Sequence, residues 1–390
     1  MKGSHALPLG RLAALPRSMH RVRLPLDSLE KFVTLEEAIS SRVGLVRTDS
    51  FDMSFGEVAS LHNSEELIIQ PEYQRLFRWS IEQESQLIES ILLELPIPQI
   101  FVIENHDGVL ELIDGLQRIS TVLHFMDAES IGMDPLRLDG CSLIRELNGM
   151  TFVELPLSLR LGLKRTPIRV VIIKKQSQAF LRYEMFKRLN TGGANLAPQE
   201  IRNCSARMIG DSGIRFYSFL IEQSLQPDFA ACTAHLPDEE REKKGAEELV
   251  LRFFAAKNSI ESFKGSVRDW LDGYMEAVLL GIQEFNYEIE KSEFIRVMKL
   301  AHDALGETAF LRYRGTEPTG SLPPAYFEAI SIGLHRVIND ISGKNAHAMR
   351  DALTVLIQSA PFRDVTGPGA NSKGKLIRRI ELVSQAMLAA

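Results

Sequence analysis

Cysteine is scarce in this chain, with three in 390 residues. Cys141, Cys204 and Cys232 are widely separated and show no C-x-x-C spacing. That excludes a zinc knuckle and a disulfide framework, and it favours a reducing compartment, the cytoplasm. No apolar run approaches the roughly 18 residues that a membrane-spanning helix needs, so no membrane partner is expected. Positive charge is also short: 45 Lys and Arg against 51 Asp and Glu leave a formal net charge of −6. Such a chain does not coat nucleic acid along its whole surface, so contact with DNA requires a local basic patch. In the second half His302, His335 and His347 stand isolated, without the clustered His and Asn that a one-metal nuclease needs. No intrinsic nuclease is expected.

The length suggests two domains, and there is no internal repeat or low-complexity tract. Residues 1–30 open with Lys2, Arg11, Arg17, Arg21 and Arg23, with no acidic residue before Asp27. Pro8, Pro16 and Pro25 prevent one continuous helix, so this stretch reads as a basic, mobile leader.

The first half is organised around Val109–Met126, VLELIDGLQRISTVLHFM. VLELI reads as a short strand, the chain turns at Asp114-Gly115, and Leu116, Ile119, Val122, Leu123 and Met126 have the spacing of a buried helix face. Asp114 at the N-cap with Gln117 three residues on is a capping-box pattern. Arg118 is then a cation in the first turn, facing the positive end of the helix dipole at a cost of about 0.3–1 kcal/mol. A bound anion reverses that sign. Free amides, a Gly that lets the backbone come close and an Arg at one helix start form a phosphate cradle. On these residues alone the cap and the cradle stand level.

Upstream, Arg75 and Arg78 alternate with Tyr73, Phe77 and Trp79, a mixture of cations and flat rings that suits bases and phosphates. Tyr73, Gln74 and Arg75 offer polar readout beyond what a core anchor needs, whereas Phe77 and Trp79 serve equally well as anchors. Ser80 caps a helix over Ile81–Leu95, and Gln99–Ile103 and Val109–Ile113 form a hairpin leading to the Asp114 turn. The run Ile168–Ile173 reads as a further strand. A helix from Ser177 to Leu189 stops at Asn190-Thr-Gly-Gly193, a turn that exposes amides. After Arg202, amphipathic segments separated by polar or Pro/Gly stretches predict an all-helical second domain.

Three blocks carry a resemblance. PEYQRLFRWSIEQESQLIESILLELPIPQIFVIE, then DGLQR, then MFKRLNTGGANLAPQEIRN are similar, in order over about Asp52–Cys204, to the motifs of the GmrS-like family, domain of unknown function 262. That family belongs to the ParB/sulfiredoxin superfamily and supplies the nucleotide-binding half of GmrSD-type modification-dependent restriction systems. The chain departs from it twice: Leu116 stands in place of the first Gln of the DGQQR signature, and Ala197 in place of a Ser or Thr cap, a loss of about 1 kcal/mol.

The resemblance implies an α+β protein, with a ParB/sulfiredoxin-like nucleotide-binding domain over 31–205 followed by the helical domain over 206–390. It implies a nucleoside triphosphate ligand with Mg2+, bound by Gly115, Arg118, Asn190, Gly192 and Gly193. Asp114, Gln117 and Arg118 form the catalytic set: Arg118 and the first-turn amides hold phosphates, Asp114 orients a water or a magnesium ion, and Gln117 fixes the loop. Tyr73, Gln74, Arg75 and Arg78 sense DNA or a modified base. The implied function is a nucleotide-binding regulatory or sensor subunit of an anti-phage restriction system, with hydrolysis left open and a separate nuclease or effector as partner, and with self-association as a further option. Two alternatives are a ParB-like DNA-binding switch with negligible turnover and an interaction scaffold whose nucleotide site has decayed.

Two motifs carry less. GANSKGK at Gly369–Lys375 fits G-x-x-x-x-G-K, but Leu376 replaces the magnesium-binding Ser or Thr. Arg296 and His302 have the R-x5-H spacing of HEPN ribonucleases, yet Arg118 and His124 repeat it inside a helix that reads as buried.

Overall fold

The computed structural model describes residues 35, 37, 47–69, 77, 79–105, 107–175, 177, 183–185, 187–189, 197–341 and 343–390. Two compact units divide the chain, Met1–Gly44 and Leu45–Ala390. In the first, Leu35 and Glu37 are helical; the basic leader lies outside the described residues. All that follows concerns the second.

Its sheet has five strands: β1 (Thr48–Ser54), β2 (Leu67–Ile68), β3 (Ile100–Glu104), β4 (Leu110–Asp114) and β5 (Pro167–Ile173), in the spatial order β1-β5-β3-β4-β2. β5 runs parallel to β3 and antiparallel to β1; β4 runs antiparallel to β3 and parallel to β2. The mixed α+β class is as expected, and the β3–β4 hairpin and β5 fall where the apolar runs put them. β1 was not foreseen, because TDSFDMS is polar and exposed for five of its seven residues. Its pairing with β5 is supported by ion pairs, Asp52 with Arg169 Nε at 2.7 Å and Asp49 with Lys174 Nζ at 3.0 Å.

Helices cover the sheet: α1 (Phe55–Asn63), α2 (Ile81–Leu92), α3 (Leu116–Met126) and α4 (Leu157–Arg165). Serine caps fix two starts. Ser54 Oγ accepts from the Glu57 amide at 3.1 Å. Ser80 Oγ accepts from the Gln83 amide while Gln83 Oε1 accepts from the Ser80 amide, a complete capping box. α2 stops at Leu92, short of Leu95, where Glu94 takes a left-handed φ of 57°. Leu87, Ile88 and Ile91 of α2 are buried, as are Ile119, Val122 and Leu123 of α3, and the two helices pack together.

The second half comprises α5 (Pro198–Arg207), α6 (Asp211–Ser224), α7 (Pro227–Cys232), α8 (Asp238–Glu242), α9 (Gly245–Asn258), α10 (Val267–Leu279), α11 (Tyr287–Leu305), α12 (Pro324–Val337), α13 (Ala346–Gln358), α14 (Ala360–Thr366) and α15 (Lys373–Ala389). At α5, Glu200 accepts from the Ala197 amide at 2.8 Å, which supplies half of the cap that Ala197 cannot. Edge-to-face rings, such as Phe253 on Phe294 at 5.1 Å, fill the helical core. The half is not purely helical: β6 (Arg312–Arg314) and β7 (Glu317–Thr319) form an antiparallel ribbon between α11 and α12. Three-residue polar strands are too short to show alternation.

Buried and half-buried charges, starting from Lys187, link these helices in series. Lys187 pairs with Asp272 at 3.6 Å, and Asp272 with Arg202 at 2.7 Å. Arg202 meets Glu248 at 3.0 Å, Glu248 meets Arg252 at 2.8 Å, Arg252 meets Glu328 at 2.6 Å, and Glu328 also binds Arg379. Burial pushes the Glu248 carboxyl up, but the charges of Arg252 and Arg202 more than offset this and hold it below the usual range. Among the described residues, no helix is long and apolar enough to cross a membrane.

Candidate functional site

β4 ends at Asp114 and α3 begins at Leu116, so the chain reverses direction through one residue, Gly115. Gly115 has φ 101° and is the N-cap, and no side chain caps the helix. The expected Asp114 cap is therefore corrected. Asp114 sits one position too early, at the strand end, where its partner in β3 is Phe101 beside a shift of register between Phe101 and Val102. Its Oδ2 accepts from Arg118 Nη2 at 3.0 Å, four residues on. This pairing neutralises the first-turn cation that the capping reading left unexplained. Gly115 is fixed by crowding as well as by φ: a Cβ there would lie 2.4 Å from Ile100 Cγ2 and 3.4 Å from Arg118 Nη2.

Gln117 does not close a capping box either. Its Oε1 accepts from the Trp79 amide at 3.2 Å, 38 residues upstream. One hydrogen bond thus brings the end of the first motif to the first turn of the second, a contact that no spacing rule reveals. Tyr73, Gln74, Arg75 and Arg78 lie outside the described residues, as do Asn190, Gly192 and Gly193. Among the described residues the corner therefore unites Asp114, Gly115, Gln117 and Arg118 with Trp79.

Behind it is a buried pair that the motifs did not signal. His124 Nδ1 lies 2.7 Å from Glu84 Oε2, and Nε2 lies 2.9 Å from the Asp134 carbonyl oxygen. Two acceptors on one ring call for the imidazolium, which donates from both nitrogens. Burial pulls the His124 pKa down, but the hydrogen bond and charge of Glu84, with the Asp134 carbonyl, outweigh it and leave the pKa raised. Phe77 packs edge-on to the His124 ring at 6.3 Å. A signal existed: Glu84 extends the buried row Leu87, Ile88 and Ile91 of α2, a charged residue where the helix turns inward.

The remaining candidates are occupied structurally. Ser372 caps α15, Lys373 pairs with Glu261 at 2.5 Å, and Lys375 Nζ donates to the Asp364 carbonyl at 2.9 Å, so GANSKGK forms a helix start with its lysines engaged. Arg296 donates to Asn339 at 2.7 Å, and His302 lies 2.7 Å from Asp228, whose carboxyl this contact holds below its usual range. All three cysteines are free and buried, and burial pushes the Cys141 thiol up to about 11. Among the described residues, no group of three or more His, Cys, Asp or Glu could hold a metal ion.

A mixed sheet whose inner strand runs through a left-handed glycine into a helix bearing Gln and Arg defines an α+β domain built around one strand–helix corner. Residues 58–206 match the family described as GmrSD restriction endonuclease, N-terminal domain. The match contains the corner and ends at residue 206, within α5. No curated protein and no solved structure matches the chain.

Proposed function

We propose that the protein is a nucleotide-binding regulatory or sensor subunit of a modification-dependent restriction system, with a ParB/sulfiredoxin-like first domain and the Asp114–Arg118 corner as its phosphate site. The observation that carries this is the Asp114–Arg118 pair at an uncapped helix start, inside a stretch that matches a restriction-system domain. With the side chains 26% and 16% exposed, such a pair contributes about 0–1 kcal/mol. A phosphate would take the same kind of charge-assisted bond from Arg118 and would also accept from the uncapped amides, which Asp114 does not reach. Arg118 therefore exchanges Asp114 for a phosphate at a net gain, and Asp114 is released toward the same ligand. Only Asp114 Oδ2 is engaged among the described residues, so the carboxylate suits magnesium, which takes one or two protein carboxylates and completes its shell with phosphate and water. Bound there, magnesium would neutralise phosphate charge. Gln117 would convey the state of the corner to the segment ending at Trp79, whose basic and aromatic residues are proposed to contact DNA.

Binding without turnover is the second reading, favoured by the engagement of Asp114 with Arg118. Calorimetric titration of the purified protein with nucleoside triphosphates and Mg2+ tests the site. Arg118→Ala should abolish binding at unchanged thermal stability in the absence of ligand. Wild-type affinity in that variant would refute the site, and phosphate release by the wild type would separate turnover from binding.

A further inference from the structure

Arg202 and Arg379, both buried, and the half-buried Arg252 face carboxylates. Arg312, Arg314 and Arg363 are exposed and make no ion pair among the described residues. The three nevertheless line one pocket of about 230 Å³, with Tyr313, Tyr326 and Gln358. Three permanently ionised groups around one cavity repel one another, weakly where water screens them, and an anion placed between them turns that repulsion into attraction.

The walls are held in place without a ligand. Gln358 of α13 accepts from the Gly315 amide at 2.8 Å and donates to the Gly315 carbonyl at 2.9 Å, which clamps the turn of the β6–β7 ribbon. Tyr313 Oη lies 2.8 Å from Thr308 Oγ1, and the Arg312 guanidinium lies over the buried Tyr326 ring at 6.0 Å. The cations thus stand on a fixed frame, which reduces the ordering needed on binding.

We propose that this pocket binds a phosphate group of a nucleic-acid strand. Three arginines offer more donors than the two oxygens of a carboxylate can accept, and phosphate presents more acceptors in a tetrahedral array. Sites that enclose a whole small ligand run to about 300–1,000 Å³, so 230 Å³ takes a phosphate but not an entire nucleoside triphosphate. The rest of the ligand must continue outside, along a ribbon whose Arg312, Arg314 and β7 residues are exposed. A sugar-phosphate backbone does so in both directions, and a two-stranded ribbon fits the major groove of a duplex. In a chain of net charge −6 this is a local basic patch of the kind that DNA contact requires, with Glu317 opposite Arg314 as the one acid on the ribbon. The site lies on the ribbon and α14, away from the strand–helix corner, and does not depend on nucleotide binding there.

The test is fluorescence anisotropy of a labelled duplex oligonucleotide with the full chain, without nucleotide, across a series of salt concentrations. Arg314→Gln with Arg363→Gln should weaken binding by about tenfold for each arginine lost and lower the salt slope by about two. The exposed Arg378→Gln should behave as wild type. Unchanged circular dichroism and melting would show that the double variant is folded. Wild-type affinity and slope in the double variant would overturn the proposal. So would a wild type that binds inorganic phosphate, seen as a thermal shift removed by the double substitution, but shows no affinity for the duplex.

Discussion

At the scale of single residues, Gly115 carries the heaviest constraint in the corner. The sequence suggests a glycine placed to let backbone approach an anion, and its turn role was plain from Asp-Gly between a strand and a helix. What the sequence did not show is that Ile100, on the neighbouring strand, fills the space that a side chain would need. Gly115→Ala therefore meets two penalties, a left-handed φ and a methyl pressed onto Ile100. Together they should destabilise the protein by about 2–4 kcal/mol. Urea unfolding reads this as a lower midpoint at unchanged slope. An unaltered midpoint would mean that neither penalty applies. Asp114→Ala is a milder change than a lost cap would be, since it removes a partly exposed pair.

At the scale of elements, α2 and α3 are joined by apolar packing and by the Glu84–His124 pair. The packing could be read from periodicity and the α2 cap from Ser80. The pairing could not, because partners 40 residues apart leave no local mark. β1 and the β6–β7 ribbon were hidden for a different reason: they are polar, exposed or very short, so their pairing partners define them. The raised His124 pKa has a thermodynamic consequence. The folded state binds this proton more tightly than the unfolded chain, so the contribution is complete below the ordinary value of 6.5 and is lost as pH rises through the raised folded value. Thermal unfolding from pH 6 to 9 should show stability falling with pH, with a smaller slope in His124→Gln. An equal slope in both would assign the effect to other groups.

At the scale of the whole molecule, the charge series runs from Lys187 to Arg379, through α5, α9, α10, α12 and α15. Glu328, 1% exposed, holds two arginines. Glu328→Ala leaves both guanidinium groups without that carboxylate, Arg379 buried, and should cost about 3–5 kcal/mol, against a smaller loss for Glu328→Leu combined with Arg379→Met. Differential scanning calorimetry of the single and double variants measures the difference, and equal losses would show that the charges contribute only volume. Arg202 has a further significance. It belongs to the matched domain, yet its counter-charges Asp272 and Glu248 lie beyond it. A chimera that grafts this domain at residue 206 onto the helical half of a relative would carry a desolvated guanidinium into a foreign interface. Only recipients with acids at the two facing positions would accept the graft, so compatibility between halves is written in two carboxylates outside the domain.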